Sequence, residues 1–196
     1  MRMSALACSI GNPYLNEFRK LYTADPGSHE PGFYDRGWRN LLTAQYAWAI
    51  PNAAALECLA QHGPIVEIGA GGGYWAMLVR QMGVDVLAID NRSTHQEETI
   101  HYWCEVEHGG AERAAEYSYR TLFLCWPPYD NDAAEVAVRC YRGSTVIYVG
   151  EQHGCTGTGE LEDLLAAEWD EVQQVAIPQW PFIHDYLRVL RRKATR

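Results

Sequence analysis

Lysine is nearly absent. The 16 basic residues of this 196-residue chain are 14 arginines and 2 lysines, set against 25 acids, for a formal net charge of −9. A protein that coats nucleic acid needs a basic face to neutralise phosphates, so this balance argues against that class while leaving room for a locally basic site. No CxxC joins any of the six cysteines (Cys8, Cys58, Cys104, Cys125, Cys140 and Cys155), which removes the spacing that zinc fingers and thioredoxin-like sites need. Cys58 and Cys125 sit inside apolar runs and read as small core residues, and the set as a whole reads as reduced thiols of a cytoplasmic protein. No run approaches the roughly 18 apolar residues of a membrane helix, and the opening residues lack a long apolar stretch. Neither a membrane span nor a signal peptide is therefore expected. His62, His95, His101 and His108 lack metal-ligand spacing, and GxSxG, P-loop and HExxH patterns are missing.

What is present is an ordinary globular composition, 47% hydrophobic and 21% charged, in a length that suits one compact domain. Residues 1–62 differ in character from residues 63–196. In the first part, residues 12–22 suit a short helix, residues 24–37 are loop-like, and residues 38–62 carry helical periodicity broken at Pro51. Asn52 is placed to cap the helix that follows, and Gly63-Pro64 stops it. From there strands and helices alternate. Strands are expected at 65–68, 84–89, 100–106, 121–125 and 145–149, with helices at 74–82, 131–141 and 161–168. A final strand pair at 172–177 and 185–191 has no helix between its members, which predicts antiparallel pairing at one edge. Apolar strands separated by helices predict a parallel sheet covered on both faces.

The strongest local signal is VEIGAGGGYWAMLVRQMGVDVLAID, residues 66–90. A strand runs into Gly69-Ala70-Gly71-Gly72-Gly73, and a helix follows. Glycines suit this place because the turn is tight and a ligand must approach the backbone closely. Asp90 closes the next strand, where a carboxylate can accept from both hydroxyls of a ribose. The spacing is GxGxG rather than the dinucleotide GxGxxG, and bulky Tyr74 and Trp75 follow it. Glu67 places negative charge beside the loop, which disfavours a pyrophosphate and suits a cationic ligand. A nicotinamide or flavin nucleotide is the alternative occupant.

Residues 121–130, TLFLCWPPYD, are the second signal. An apolar strand ends in a stiff Trp126-Pro127-Pro128-Tyr129 loop, at the sheet edge where α/β folds place substrates. Tyr129 can stack on a substrate ring or on a cation. Trp126 is a donor only and cannot accept an amine proton. After the fifth strand, Glu151 and His153 stand in a polar, glycine-rich loop. They are candidate proton acceptors, with a solvated loop as the alternative. Trp38, Tyr46 and Trp48 precede the sheet, either shielding a site from water or simply packing on it.

Together the glycine loop and its terminal acid resemble motif I and the following acidic residue of class I S-adenosylmethionine (SAM)-dependent methyltransferases. Pro127, Pro128 and Tyr129 resemble motif IV of the amino-methyltransferases. The resemblance spans about residues 60–192. It implies a mostly parallel seven-stranded Rossmann-like sheet with an antiparallel edge strand and helices on both faces. It implies residues 1–62 as a helical lid segment and residues 63–196 as the catalytic domain. The cofactor SAM would be held by Glu67, Gly69, Ala70, Gly71, Gly73, Asp90, Asn91, Cys125 and Trp126, with residues 109–112 beside its adenine. The acceptor would meet Trp38, Tyr46, Trp48, Pro127, Pro128 and Tyr129. Tyr129, Glu151 and His153 are the candidate catalytic residues. The expected reaction is in-line methyl transfer to a small molecule, with nitrogen slightly favoured. Nucleic acid and membrane are not expected partners, and the chain would act as a monomer or homodimer. The rivals are other SAM chemistry on the same fold (aminocarboxypropyl transfer or cyclisation), a nucleic-acid amino-methyltransferase, which the −9 charge and Trp126 disfavour, and a SAM-binding protein without catalysis.

Overall fold

The structure, a computed structural model, describes residues 6, 7, 9–23, 36–93 and 100–194. Among the described residues, helices Pro13–Thr23 (α1), Arg36–Gln45 (α2) and Ala53–Gln61 (α3) precede the sheet. Strand Ile65–Ile68 (β1) leads into helix Tyr74–Gln81 (α4), then Val86–Asp90 (β2) and the two-residue strand Glu107–His108 (β3). A 3-10 turn at Ala111–Glu116 precedes Thr121–Cys125 (β4), Ala133–Cys140 (α5) and Thr145–Gly150 (β5). Gly159–Glu168 (α6), Trp169–Ala176 (β6) and Tyr186–Arg192 (β7) complete the chain.

The strands form one seven-stranded sheet in the order β3-β2-β1-β4-β5-β7-β6. Strands β1 to β5 pair in parallel, and β7 runs antiparallel to both β5 and β6. The expected antiparallel pair thus closes one edge, with β7 as its inner member. Side chains alternate across a strand, and here both faces are buried. Leu122 and Leu124 of β4 enter one cluster, with Val146, Leu161 and Trp169, while Phe123 enters the other, with Trp75, Ile147 and Val189. That two-sided burial is why these strands read as unbroken apolar runs.

Tyr14, Leu42, Tyr46, Ile50 and Leu56 from residues preceding β1 share the cluster that contains Trp75 and Phe123. Local chemistry sets their helices. Asn12 Oδ1 accepts from the Leu15 N–H at 3.0 Å, and Asn52 Oδ1 from the Ala55 N–H at 2.9 Å, each satisfying an end donor that has no partner inside its helix. The break at Pro51 falls between α2 and α3 as the sequence predicts. Of the loop expected at residues 24–37, residues 24–35 lie outside the described residues, and residues 36 and 37 open α2. Among the described residues, no helix is long and apolar enough to cross a membrane.

The expected third strand at 100–106 is a correction. The ladder holds only Glu107 and His108, paired with Ile89 and Asp90. The preceding backbone groups bond elsewhere. The Trp103 N–H donates to Gly72 O at 2.8 Å, and Glu105 O accepts from the Arg80 guanidinium. The Trp103 indole also donates to Gln45 O at 2.8 Å. This segment therefore packs over the glycine loop instead of joining the sheet.

Candidate functional site

The strand order reverses direction between β1 and β4, and a cavity of about 370 Å³ opens at the carboxyl ends of these strands. This is the topological switch point at which open α/β sheets bind ligands. The glycine loop forms one wall. Gly69 has a φ of +76, and nothing lies within 4 Å of the place its Cβ would occupy. The backbone is therefore bent where side chains are disfavoured, and the space a side chain would fill is left to the cavity. Gly73, with a φ of +74, caps α4 and does not line the cavity; a Cβ there would stand 2.7 Å from Cys104 Sγ.

Asp90 and the loop are tied to each other. Asp90 Oδ2 accepts from the Gly71 N–H at 2.8 Å and Oδ1 from the Arg92 N–H at 2.6 Å. A carboxylate has about four lone-pair sites, so two are not used by these bonds, and Asp90 lines the cavity. Glu67 is more confined, at 2% exposure. Its Oε2 is buried without a hydrogen-bond partner. Burial first, and then the neighbouring Asp90 charge, push its carboxyl up to about 8, against smaller opposing effects of Arg80 and the Ala76 N–H. A buried acceptor left unmade is costly. This one sits in the cavity wall, where a donor from a ligand would satisfy it.

Of the residues expected to hold a cofactor, Glu67, Gly69, Ala70, Gly71, Asp90, Asn91, Cys125 and Trp126 line this one cavity. Gly109 and Ala111 line it too, from the stretch expected beside adenine. Of the expected acceptor-side residues, Tyr46, Trp48, Pro127 and Pro128 line it. Trp38 is on α2, about half exposed, and outside the lining.

The three candidate catalytic residues are not brought there. Tyr129 is 66% exposed and is not part of the lining. His153 is exposed in the loop after β5. Glu151 is buried, and both its oxygens are engaged. Oε2 accepts from the Cys155 N–H at 3.0 Å and from Sγ at 2.9 Å, and Oε1 accepts from the His184 N–H at 2.6 Å. Burial opposes its ionised form, but these donors outweigh burial and hold the carboxyl below its usual range. Glu151 therefore ties its loop to the β6–β7 connection.

Two residues were not signalled as site residues. The Trp126 indole donates to Asp185 Oδ2 at 2.8 Å, from a loop 59 residues away in sequence. The Arg39 guanidinium lies 5.3 Å from the Trp48 ring and 5.4 Å from the Trp126 ring, and these two indoles stack at 5.6 Å and 11°. Only the folded topology brings α2, β4 and β7 together, so no spacing in the sequence announces the group.

No protein-family model matches this chain. No curated protein sequence matches it either. Among solved structures, magnesium protoporphyrin IX methyltransferase from Synechocystis with bound SAM is similar over 97% of this chain and 97% of that one, at 11% identity and a TM-score of 0.51. An O-methyltransferase from neocarzinostatin biosynthesis, in complex with SAM and 2-hydroxy-5-methyl naphthoic acid, aligns over 90% of this chain and 61% of that one, at 13% identity and a TM-score of 0.49. An rRNA methylase from Streptococcus thermophilus covers 71% of this chain and 95% of its own, at 13% identity and a TM-score of 0.43. The first of these, aligned over nearly the whole of both chains, shows that this chain has the Rossmann-like fold of that methyltransferase.

Proposed function

We propose that the chain is a SAM-dependent methyltransferase acting on a small-molecule acceptor. The observation that carries the reading is the unpartnered, buried Oε2 of Glu67, placed beside an open glycine loop that Asp90 pins. The residues fit the cofactor. A buried carboxylate oxygen without a donor suits an ammonium group, the two remaining lone-pair sites of Asp90 suit ribose hydroxyls, and the space above Gly69 suits close approach to backbone. The fold shared with the Synechocystis enzyme is consistent with this.

When bound, SAM supplies a methyl group already activated by the sulfonium. The chain then has two tasks, holding the partners in line and keeping water out. Tyr46, Trp48 and Trp126 form an aromatic wall suited to the second task. Residues 1–62 act in this reading as a helical cover built onto a catalytic domain at 63–196. Little acid–base chemistry is required, and with Glu151 engaged at both oxygens and Tyr129 exposed outside the lining, positioning carries most of the reaction. The preference for nitrogen rested on the Pro-Pro-Tyr loop. The exposed Tyr129 outside the lining and the committed Trp126 N–H give that preference no support, and the acceptor atom is left open.

Isothermal titration of the purified chain with SAM and with NAD tests the reading. Micromolar SAM binding without NAD binding is expected. Absence of SAM binding would overturn it. SAM binding without methyl transfer to any of a panel of small acceptors would leave a binding protein instead.

A further inference from the structure

Beside the Trp48–Trp126 edge of the cavity, just outside its lining, stands a cation that is unpaired among the described residues. Among the described residues, Arg39 makes no ion pair and no side-chain hydrogen bond, and its Nε is buried without a partner. Its neighbours do not neutralise it directly. Asp185 feels the Arg39 charge, but it already accepts from the Trp126 indole and lies beyond ion-pair distance. Glu151 is committed to Cys155 and His184. The acids described around it, Asp185 and Glu151, are thus both committed elsewhere.

The Arg39 guanidinium carbon stands over the Trp48 and Trp126 rings. A guanidinium stacked on indoles keeps its N–H donors in its own plane, directed outward at the ring edges, and that fork matches an oxyanion. The indoles offer rings and not polar edges. The Trp126 N–H is taken by Asp185, so this residue presents an apolar face to the cavity it lines. Trp48 lines the same cavity and is 47% exposed, leaving room for another ring against it.

From this juxtaposition we infer that the Trp48–Trp126–Arg39 group binds a planar ring bearing an oxyanion such as a carboxylate, with the indoles packing on the ring and Arg39 selecting the charge. Naming the occupant as the methyl acceptor rests on the methyltransferase reading. The binding itself does not, and its test is independent of turnover.

The probes are 2-naphthoate and its neutral counterpart 2-naphthamide, titrated into the full chain by calorimetry with and without saturating S-adenosylhomocysteine. Naphthoate is expected to bind about tenfold or more tightly than naphthamide, as one charge-assisted contact allows. Arg39→Gln should remove that preference while naphthamide binding stays within about twofold, and Arg39→Lys should restore part of it. Trp48→Ala should weaken both probes. The two Arg39 variants should bind S-adenosylhomocysteine as the parent does, which also reports that they are folded, and the circular dichroism of Trp48→Ala should match the parent's. Equal affinity for the two probes, no binding of either, or an unchanged preference in Arg39→Gln would overturn the inference. If naphthoate binds selectively while S-adenosylhomocysteine does not bind, this inference stands and the methyltransferase reading fails.

Discussion

Trp126 Nε1 and Asp185 Oδ2, 2.8 Å apart, join the loop after β4 to the start of β7. Trp126 is a donor only, and the fold supplies an acceptor to it from the loop that precedes β7. The contact leaves Asp185 Oδ1 buried and unpartnered. Burial pushes this carboxyl up to about 6, against the lowering effect of the Trp126 N–H.

A carboxyl whose value is raised on folding contributes stability that is complete below its unfolded value, near 3.8, and lost as pH rises through about 6. Asp185→Asn keeps an oxygen for the indole and cannot ionise. At pH 8 this variant should be more stable than the parent, by at most about 3 kcal/mol for a shift of about two units. At pH 4 the gain should vanish. Thermal unfolding at both pH values checks this, and a variant less stable at pH 8 would show that the charge itself is needed.

The sheet was legible because its signals are local. Strands buried on two faces, such as residues 121–125, carry enough apolar residues to be read directly, and the Gly69–Asp90 unit lies within one strand–helix–strand stretch. The glycine loop and Asp90 were readable for the same reason. Residues 100–106 misled because Tyr102, Trp103 and Val106 have strand-like side chains, while tertiary partners (Gly72 O, Gln45 O and Arg80) took their hydrogen-bonding groups. Arg39 and Asp185 were unreadable as site residues. Each gains its surroundings from elements far away in the chain.

Glu67 carries the cofactor proposal, and its protonation gives a sign. With its carboxyl pushed up to about 8, the free protein at pH 7 holds most of Glu67 neutral. Pairing with an ammonium favours the ionised form, so SAM binding at pH 7 should release protons. Calorimetry in buffers of different ionisation enthalpy measures that release. Glu67→Gln should abolish it and weaken SAM by about 1.5–3 kcal/mol, one charge-assisted contact. The same variant should also lose the fall in stability that the parent shows as pH rises toward 8.

Gly69→Ala separates backbone strain from ligand exclusion. The left-handed backbone at this position costs an L-residue about 1–2 kcal/mol of stability. The added methyl also enters the open space of the cavity wall. Loss of SAM affinity in this variant should therefore exceed what its unfolding free energy accounts for. Equal binding by a destabilised variant would place the cofactor away from the loop.

Asp90→Ala should cost both binding and order in the loop, since it removes the acceptor for the Gly71 and Arg92 N–H groups as well as the one proposed for ribose. A loss of about 1.5–3 kcal/mol in SAM affinity is expected, the size of one hydrogen bond to a charged group. Asp90→Asn keeps one acceptor oxygen and should fall between that variant and the parent. Unchanged affinity in Asp90→Ala, measured by calorimetry, would move the ribose elsewhere.

Glu151 distinguishes a proton acceptor from a structural tie. Removing a general base commonly lowers turnover by about 10²–10⁴-fold. The donors from Cys155 and His184 instead give Glu151 a fixed, ionised, fully occupied carboxylate, held below its usual range. A lowered carboxyl contributes stability that is present above its unfolded value, near 4.5, and lost as pH falls through the folded value. Glu151→Gln retains one acceptor and turns an amide toward a backbone N–H. It should lose about 1.5–3 kcal/mol at pH 7, as hydrogen bonds to a charged group are worth, with much less loss at pH 3. Once a methyl acceptor is in hand, kcat of the folded variant should stay within about tenfold of the parent, well short of the loss of a base. A hundredfold fall in kcat at unchanged stability would return Glu151 to the chemistry.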